Sequence, residues 1–149
     1  SLKIGAILAG ATAEDAENLY YFGMHIGVAF QLQDDLLDVY GDPEVFGKKI
    51  GGDILCNKKT YMLIKALEHA DEKQQEELNR WLNAETFQPA EKIEAVTEIY
   101  NQLNIRNVCE NKMREYYTLA MESLAAVAVA EDRKKELKNL VKLLMYREM

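Results

Sequence analysis

Between Leu19 and Leu32 the sequence runs for 14 residues without an acidic or basic side chain other than His25, and then places Asp34, Asp35 and Asp38 at its end. The run is too short for a membrane span, which takes about 20 apolar residues, and suits a buried helix. Tyr20, Tyr21, Phe22, Met24, Ile26, Val28, Ala29 and Phe30 make it apolar all round. A helix with no polar face has to be surrounded by other helices. Gly23 and Gly27, one helical turn apart, would let such a neighbour come close. The run therefore predicts the central helix of an all-α bundle, and carboxylates are out of place at its end.

Other features agree with an all-α chain. The 149 residues suit one domain, so residues 1–149 are expected to form a single all-α unit. Two prolines and eight glycines leave long stretches of good helix formers. A net charge of −7 argues against nucleic acid as the main partner, because phosphate backbones attract basic faces. It leaves room for a small, locally basic phosphate site. Cys56 and Cys109 lack metal-ligand spacing and read as free thiols of a reducing, cytoplasmic setting. No secretory signal or membrane span is visible. Ser1-Leu2-Lys3-Ile4 enters helix-like sequence at once, which is expected of a piece of a longer chain.

Punctuation along the chain sets the expected elements. Residues 2–10 read as the end of a helix. Thr12 and Asp15 resemble a capping box, with Asp in place of the usual Glu, ahead of a helix over 13–40. Pro43 stops that helix, and 41–53 reads as a loop rich in glycine. Further helices are expected from 57–60 to 70, over 71–83 on the surface, and from Pro89, which suits a first turn. Ile93, Val96, Ile99, Tyr100 and Leu103 would line the inner face of the last of these. A break at 104–107 precedes a long helix over 108–130, and Glu131 opens the final one. His25 is expected as a hydrogen-bonded core residue.

The spacing of Asp34, Asp35 and Asp38 puts their carboxylates on roughly one side of a helix, with Gln31 one turn before. Carboxylates so close repel one another, and burial makes this worse. A hard dication relieves it. Mg²⁺ takes oxygen ligands and keeps positions open for water or phosphate oxygens. The cluster thus predicts Mg²⁺ shared with a phosphorylated ligand. Gly47-Lys48-Lys49 and Asn57-Lys58-Lys59 follow closely in the sequence. Carboxylates facing ammonium groups suit a metal–diphosphate complex, with metal on one side and lysines on the other. Spacing does not decide between Lys48 and Lys49. The lysine loop fits neither a P-loop nor an EF-hand.

Phe30-Gln31-x-x-Asp34-Asp35-x-x-Asp38, then Gly47-Lys48-x-x-Gly51-x-Asp53-Ile54, then Lys58-x-Thr60, resembles the second aspartate-rich region of the trans-isoprenyl (polyprenyl) diphosphate synthases. These include farnesyl and geranylgeranyl diphosphate synthases. The resemblance implies an isoprenoid-synthase-type helical bundle around a central cavity, of which this chain is the C-terminal half. It implies a Mg²⁺-dependent prenyltransferase of isoprenoid biosynthesis. An allylic diphosphate ionises, the double bond of isopentenyl diphosphate attacks the cation, and a proton leaves.

The resemblance also implies roles. Asp34 and Asp38 would bind Mg²⁺, and Asp35 would support them by hydrogen bonding. Lys48 and Lys58 would hold the allylic diphosphate. Phe30 and Gln31 would lie near the isopentenyl group, and Arg147 would approach the other diphosphate. The full-length protein would be a homodimer. The family's first aspartate motif has no counterpart here, so this chain alone is expected to be inactive. The alternatives are a non-catalytic, self-associating helical fragment and a terpene cyclase-like diphosphate-binding domain. The lysine loop favours the synthase.

Overall fold

The computed structural model describes residue 10 and residues 12–46, 50–128 and 131–145. In chain order the helices are α1 (Ala13–Tyr40), α2 (Pro43–Phe46), α3 (Gly52–Leu55), α4 (Tyr61–His69), α5 (Glu72–Asn83), α6 (Pro89–Gln102), α7 (Ile105–Ala125) and α8 (Glu131–Met145). No strand occurs among the described residues. The chain is all-α, as expected. None of its described helices is long and apolar enough to cross a membrane. The helix end expected over 2–10 lies outside the described residues, Gly10 excepted.

The chain divides into two compact units, residues 1–33 with 112–147 and residues 34–111. In the first, Phe22 and Ala29 of α1 pack with Ala120 and Leu124 of α7 and Val141 of α8. Thr12 caps α1, its Oγ1 accepting from the Asp15 amide at 3.1 Å. The reciprocal half of the expected capping box is replaced. The Asp15 carboxylate accepts from the Ala128 amide at 3.1 Å instead, just past the end of α7. That bond belongs to the turn that ends α7 at Ala125, five residues before the expected stop.

The run that is apolar all round is not covered all round. Tyr20, Tyr21, Met24 and Val28 are each more than a third exposed. His25 lies between Tyr21 and Tyr116, with ring centroids 6.3 and 5.8 Å away. It is not the hydrogen-bonded core residue expected, since its Nδ1 is buried with no hydrogen-bond partner among the described residues. Its ring neighbours are Tyr21, stacked at 23° between planes, and Tyr116, tilted at 38°.

In the second unit α6 is the common neighbour of α3, α4 and α5. Pro89 stands in its first turn, and Val96, Ile99 and Tyr100 are buried. Thr60 caps α4 by accepting from the Leu63 amide, and Asp71 with Gln74 forms a complete capping box on α5. Two local departures matter. The expected loop 41–53 contains one single-turn helix, α2, and the start of another, α3. The break expected at 104–107 is confined to Leu103 and Asn104. Asn104 takes φ 56°, a left-handed conformation that Asn tolerates.

Candidate active site

The end of α1 is drawn inward by its leucines. Leu36 and Leu37 are fully buried, which carries Asp35 and Asp38 down to 5% and 8% exposure. Buried carboxylates are costly without partners. Both have them. The Asp38 Oδ2 accepts from the Asp53 amide at 2.9 Å, and the Asp38 carbonyl accepts from the Gly51 amide. One residue thereby pins the turn at 51–53 through main chain and side chain. Gly51 is required there. It takes φ 90°, and a Cβ on it would lie 2.5 Å from Ile93 Cδ1.

The pinned turn leads to a lysine. The Lys58 Nζ lies 3.4 Å from Asp35 Oδ1 and 3.8 Å from Asp53 Oδ2, while its side chain stays 46% exposed. The Asp35 charge raises the Lys58 pKa above its ordinary value, against an opposing effect of desolvation, with Asp53 adding to the rise. The Lys58 amide donates to the Asp53 carbonyl at 3.0 Å, so the segment 53–58 closes on itself.

Preceding Lys58, Asn57 has φ 57° and a side chain bonded at both ends. Its Nδ2 donates to the Leu82 carbonyl at 3.0 Å, and its Oδ1 accepts from Lys92 Nζ at 2.6 Å. Lys92 is buried on α6, with its ammonium 4.4 Å from the centroid of the Phe87 ring. Burial lowers its pKa.

Of the residues expected from the sequence, the structure brings together Asp35, Asp38 and Lys58. Asp34 is half-buried. Phe30 packs against the core of the first unit, and Gln31 is exposed. Lys48 and Arg147 lie outside the described residues, as does Lys49. The aspartates do not form one ligand set. Asp35 is turned to Lys58 and Asp38 to the Asp53 amide, and among the described residues no group of three or more His, Cys, Asp or Glu side chains is placed to hold a metal. Sequence reading gave no role to Asp53, Asn57 or Lys92. A signal for Lys92 was present, since it stands one turn before Val96 on a face otherwise made of core residues.

Residues 1–103 match the family described as polyprenyl synthetase. The chain belongs to the polyprenyl synthetase family. It is 31% identical, over 99% of its own length, to the (2E,6E)-farnesyl diphosphate synthase of Mycobacterium tuberculosis, 42% of which it covers. It is 47% identical over 76 residues to the short chain isoprenyl diphosphate synthase of Methanothermobacter thermautotrophicus, covering 51% of this chain and 23% of that one. A crystal structure of a geranylgeranyl pyrophosphate synthase superposes with a TM-score of 0.87 at 35% identity, over 99% of this chain and 46% of that chain. This polyprenyl synthetase chain thus spans less than half the length of these relatives.

Proposed function

We propose that the chain supplies part of the active site of a trans-prenyl diphosphate synthase, which joins an allylic diphosphate to isopentenyl diphosphate, and that alone it is inactive. The observation that carries the reading is Lys58, set against Asp35 and Asp53 yet half exposed. Two carboxylates fix its position, and its open side is free to meet an anionic ligand. Membership of the polyprenyl synthetase family and the diphosphate synthase names of its relatives support the substrate class.

In the reaction the allylic carbon–oxygen bond breaks and its electron pair leaves with the diphosphate. The double bond of isopentenyl diphosphate attacks the resulting cation, and a proton is lost. Lys58, already oriented before it develops, would meet the negative charge that grows on the leaving diphosphate, together with Lys48. Phe30 and Gln31 would lie near the isopentenyl group, and Arg147 near its diphosphate. Asp35 would keep Lys58 in place.

Asp34 and Asp38 would hold Mg²⁺. Mg²⁺ is commonly bound through one or two carboxylates plus water and substrate phosphates, not in an all-protein cage. Asp34 and the Asp38 oxygen that the Asp53 amide does not engage would be the two hard donors, Asp35 being paired with Lys58. When bound, the ion supplies Lewis-acid stabilisation of the leaving diphosphate. A cytoplasmic setting belongs to the same reading, supported by two free cysteines, and a homodimeric full-length protein follows from the family resemblance alone.

The test is Asp34→Ala in the full-length protein, with elongation followed by incorporation of labelled isopentenyl diphosphate. Turnover is expected to fall by roughly two orders of magnitude or more, as for loss of an electrostatic stabiliser. Near-normal elongation would overturn the assignment.

A further inference from the structure

We propose that Lys92 is a positioning residue for Lys58, acting through Asn57; the inference rests on the reading of Lys58 as a diphosphate ligand. Lys92 occupies a core position on α6 at 1% exposure, where an apolar residue of similar length would fill the same space. Burying an ammonium is unfavourable unless it is well partnered. Among the described residues no carboxylate pairs with it. Its partners are the Asn57 Oδ1 at 2.6 Å and the face of the Phe87 ring.

What the ammonium supplies is a donor aimed at one atom. Asn57 sits in a left-handed conformation and has its other side-chain end on the Leu82 carbonyl. The next residue is Lys58. With the Lys92 bond in place, the peptide between Asn57 and Lys58 has a fixed direction, and Lys58 leaves it toward Asp35 and Asp53. At 1% exposure Lys92 is closed off from solvent, so it does not itself meet the ligand. Its effect reaches the ligand through the backbone it holds.

The experiment uses the full-length protein with Lys92→Met, Asn57→Gly and the double variant, and Lys58→Met as a reference. Glycine keeps the positive φ while removing the Asn57 side chain. Each protein is checked by circular dichroism. KM is measured separately for the allylic and isopentenyl diphosphates, and inorganic pyrophosphate with Mg²⁺ is titrated by calorimetry. Lys92→Met and Asn57→Gly are each expected to raise the allylic KM and the pyrophosphate Kd about tenfold, with the isopentenyl KM changed by less than about twofold. The double variant is expected to be no worse than either single one, since both remove the same bond.

An unchanged allylic KM in a folded Lys92→Met protein overturns the proposal. So do equal rises in both KM values, which a merely structural role would give, and losses that add in the double variant. Should Lys92→Met not fold, Asn57→Gly decides alone, and normal allylic binding by it overturns the proposal. Normal allylic binding by Lys58→Met removes the reading of Lys58 and this inference with it. Impaired Lys58→Met beside normal Lys92→Met and Asn57→Gly removes only the inference.

Discussion

The Lys58 ammonium lies 3.4 Å from Asp35 Oδ1, joining residues 23 apart in sequence. The Asp35 charge raises the lysine's folded pKa above the ordinary 10.5. The sign follows from linkage. A lysine whose pKa is higher folded than unfolded gives its full stabilisation below the unfolded value and loses it as pH rises through the folded one. Wild type is therefore expected to exceed Lys58→Met in urea midpoint by a constant amount from neutral pH up to about pH 10, where both Asp35 and Lys58 are charged. The gap is expected to close at higher pH. Because the lysine is half exposed, solvent screens the pair and the gap is small.

Gly51→Ala is expected to cost about 2–4 kcal/mol, combining a left-handed alanine with a methyl forced against the core. The new Cβ would meet Ile93 Cδ1 at 2.5 Å and Cγ1 at 2.8 Å, so the Ile93 side chain has to shift. Urea unfolding of the variant measures the loss. The same change displaces the Asp53 amide from Asp38, so pyrophosphate binding by the full-length protein is expected to weaken along with stability.

Leu78 is the buried residue that seats α5, at 0% exposure. Truncation to alanine removes its buried methyl groups and leaves a cavity, at a cost of about 2–5 kcal/mol. A thermal melt of Leu78→Ala against wild type reads this directly. A melting temperature within error of wild type would mean that α5 is not packed as described.

The two cysteines are expected to react very differently. Cys56 is exposed, while Cys109 is buried. Burial, with the Asp35 and Glu110 charges adding, pushes the Cys109 thiol up to about 12. Only thiolates alkylate readily. Iodoacetamide at pH 8 is expected to label Cys56 in the native protein and both cysteines in urea, as read by peptide mass.

Much of the fold was legible because its signals are local. The apolar run and the proline after it bounded α1 at 13–40. Pro89 marked the first turn of α6, and the helices expected to begin near 57–60 and at 71 start at Tyr61 and Glu72, behind the caps Thr60 and Asp71. The misses have local reasons too. Single-turn helices such as α2 and α3 carry no period long enough to read, so 41–53 looked like plain loop. The break between α6 and α7 was overestimated: it takes only Leu103 and the left-handed Asn104.

The candidate site divides in the same way. The sequence by itself determined the family, the all-α class and which residue types are available: aspartates ending an apolar helix and lysines following them. Their spacing on one helix also pointed to a single cluster of carboxylates. Tertiary structure alone decided what each carboxylate faces. Asp35 meets Lys58, and Asp38 takes the Asp53 amide, because the buried leucines beside them fix the rotation of α1 and the turn at Gly51 brings 51–58 back to it. Lys92 shows the limit most clearly. Its sequence position marks it only as a polar residue on an apolar face. Its partner, Asn57, comes from a segment 35 residues away that only the packing of α6 brings within 2.6 Å.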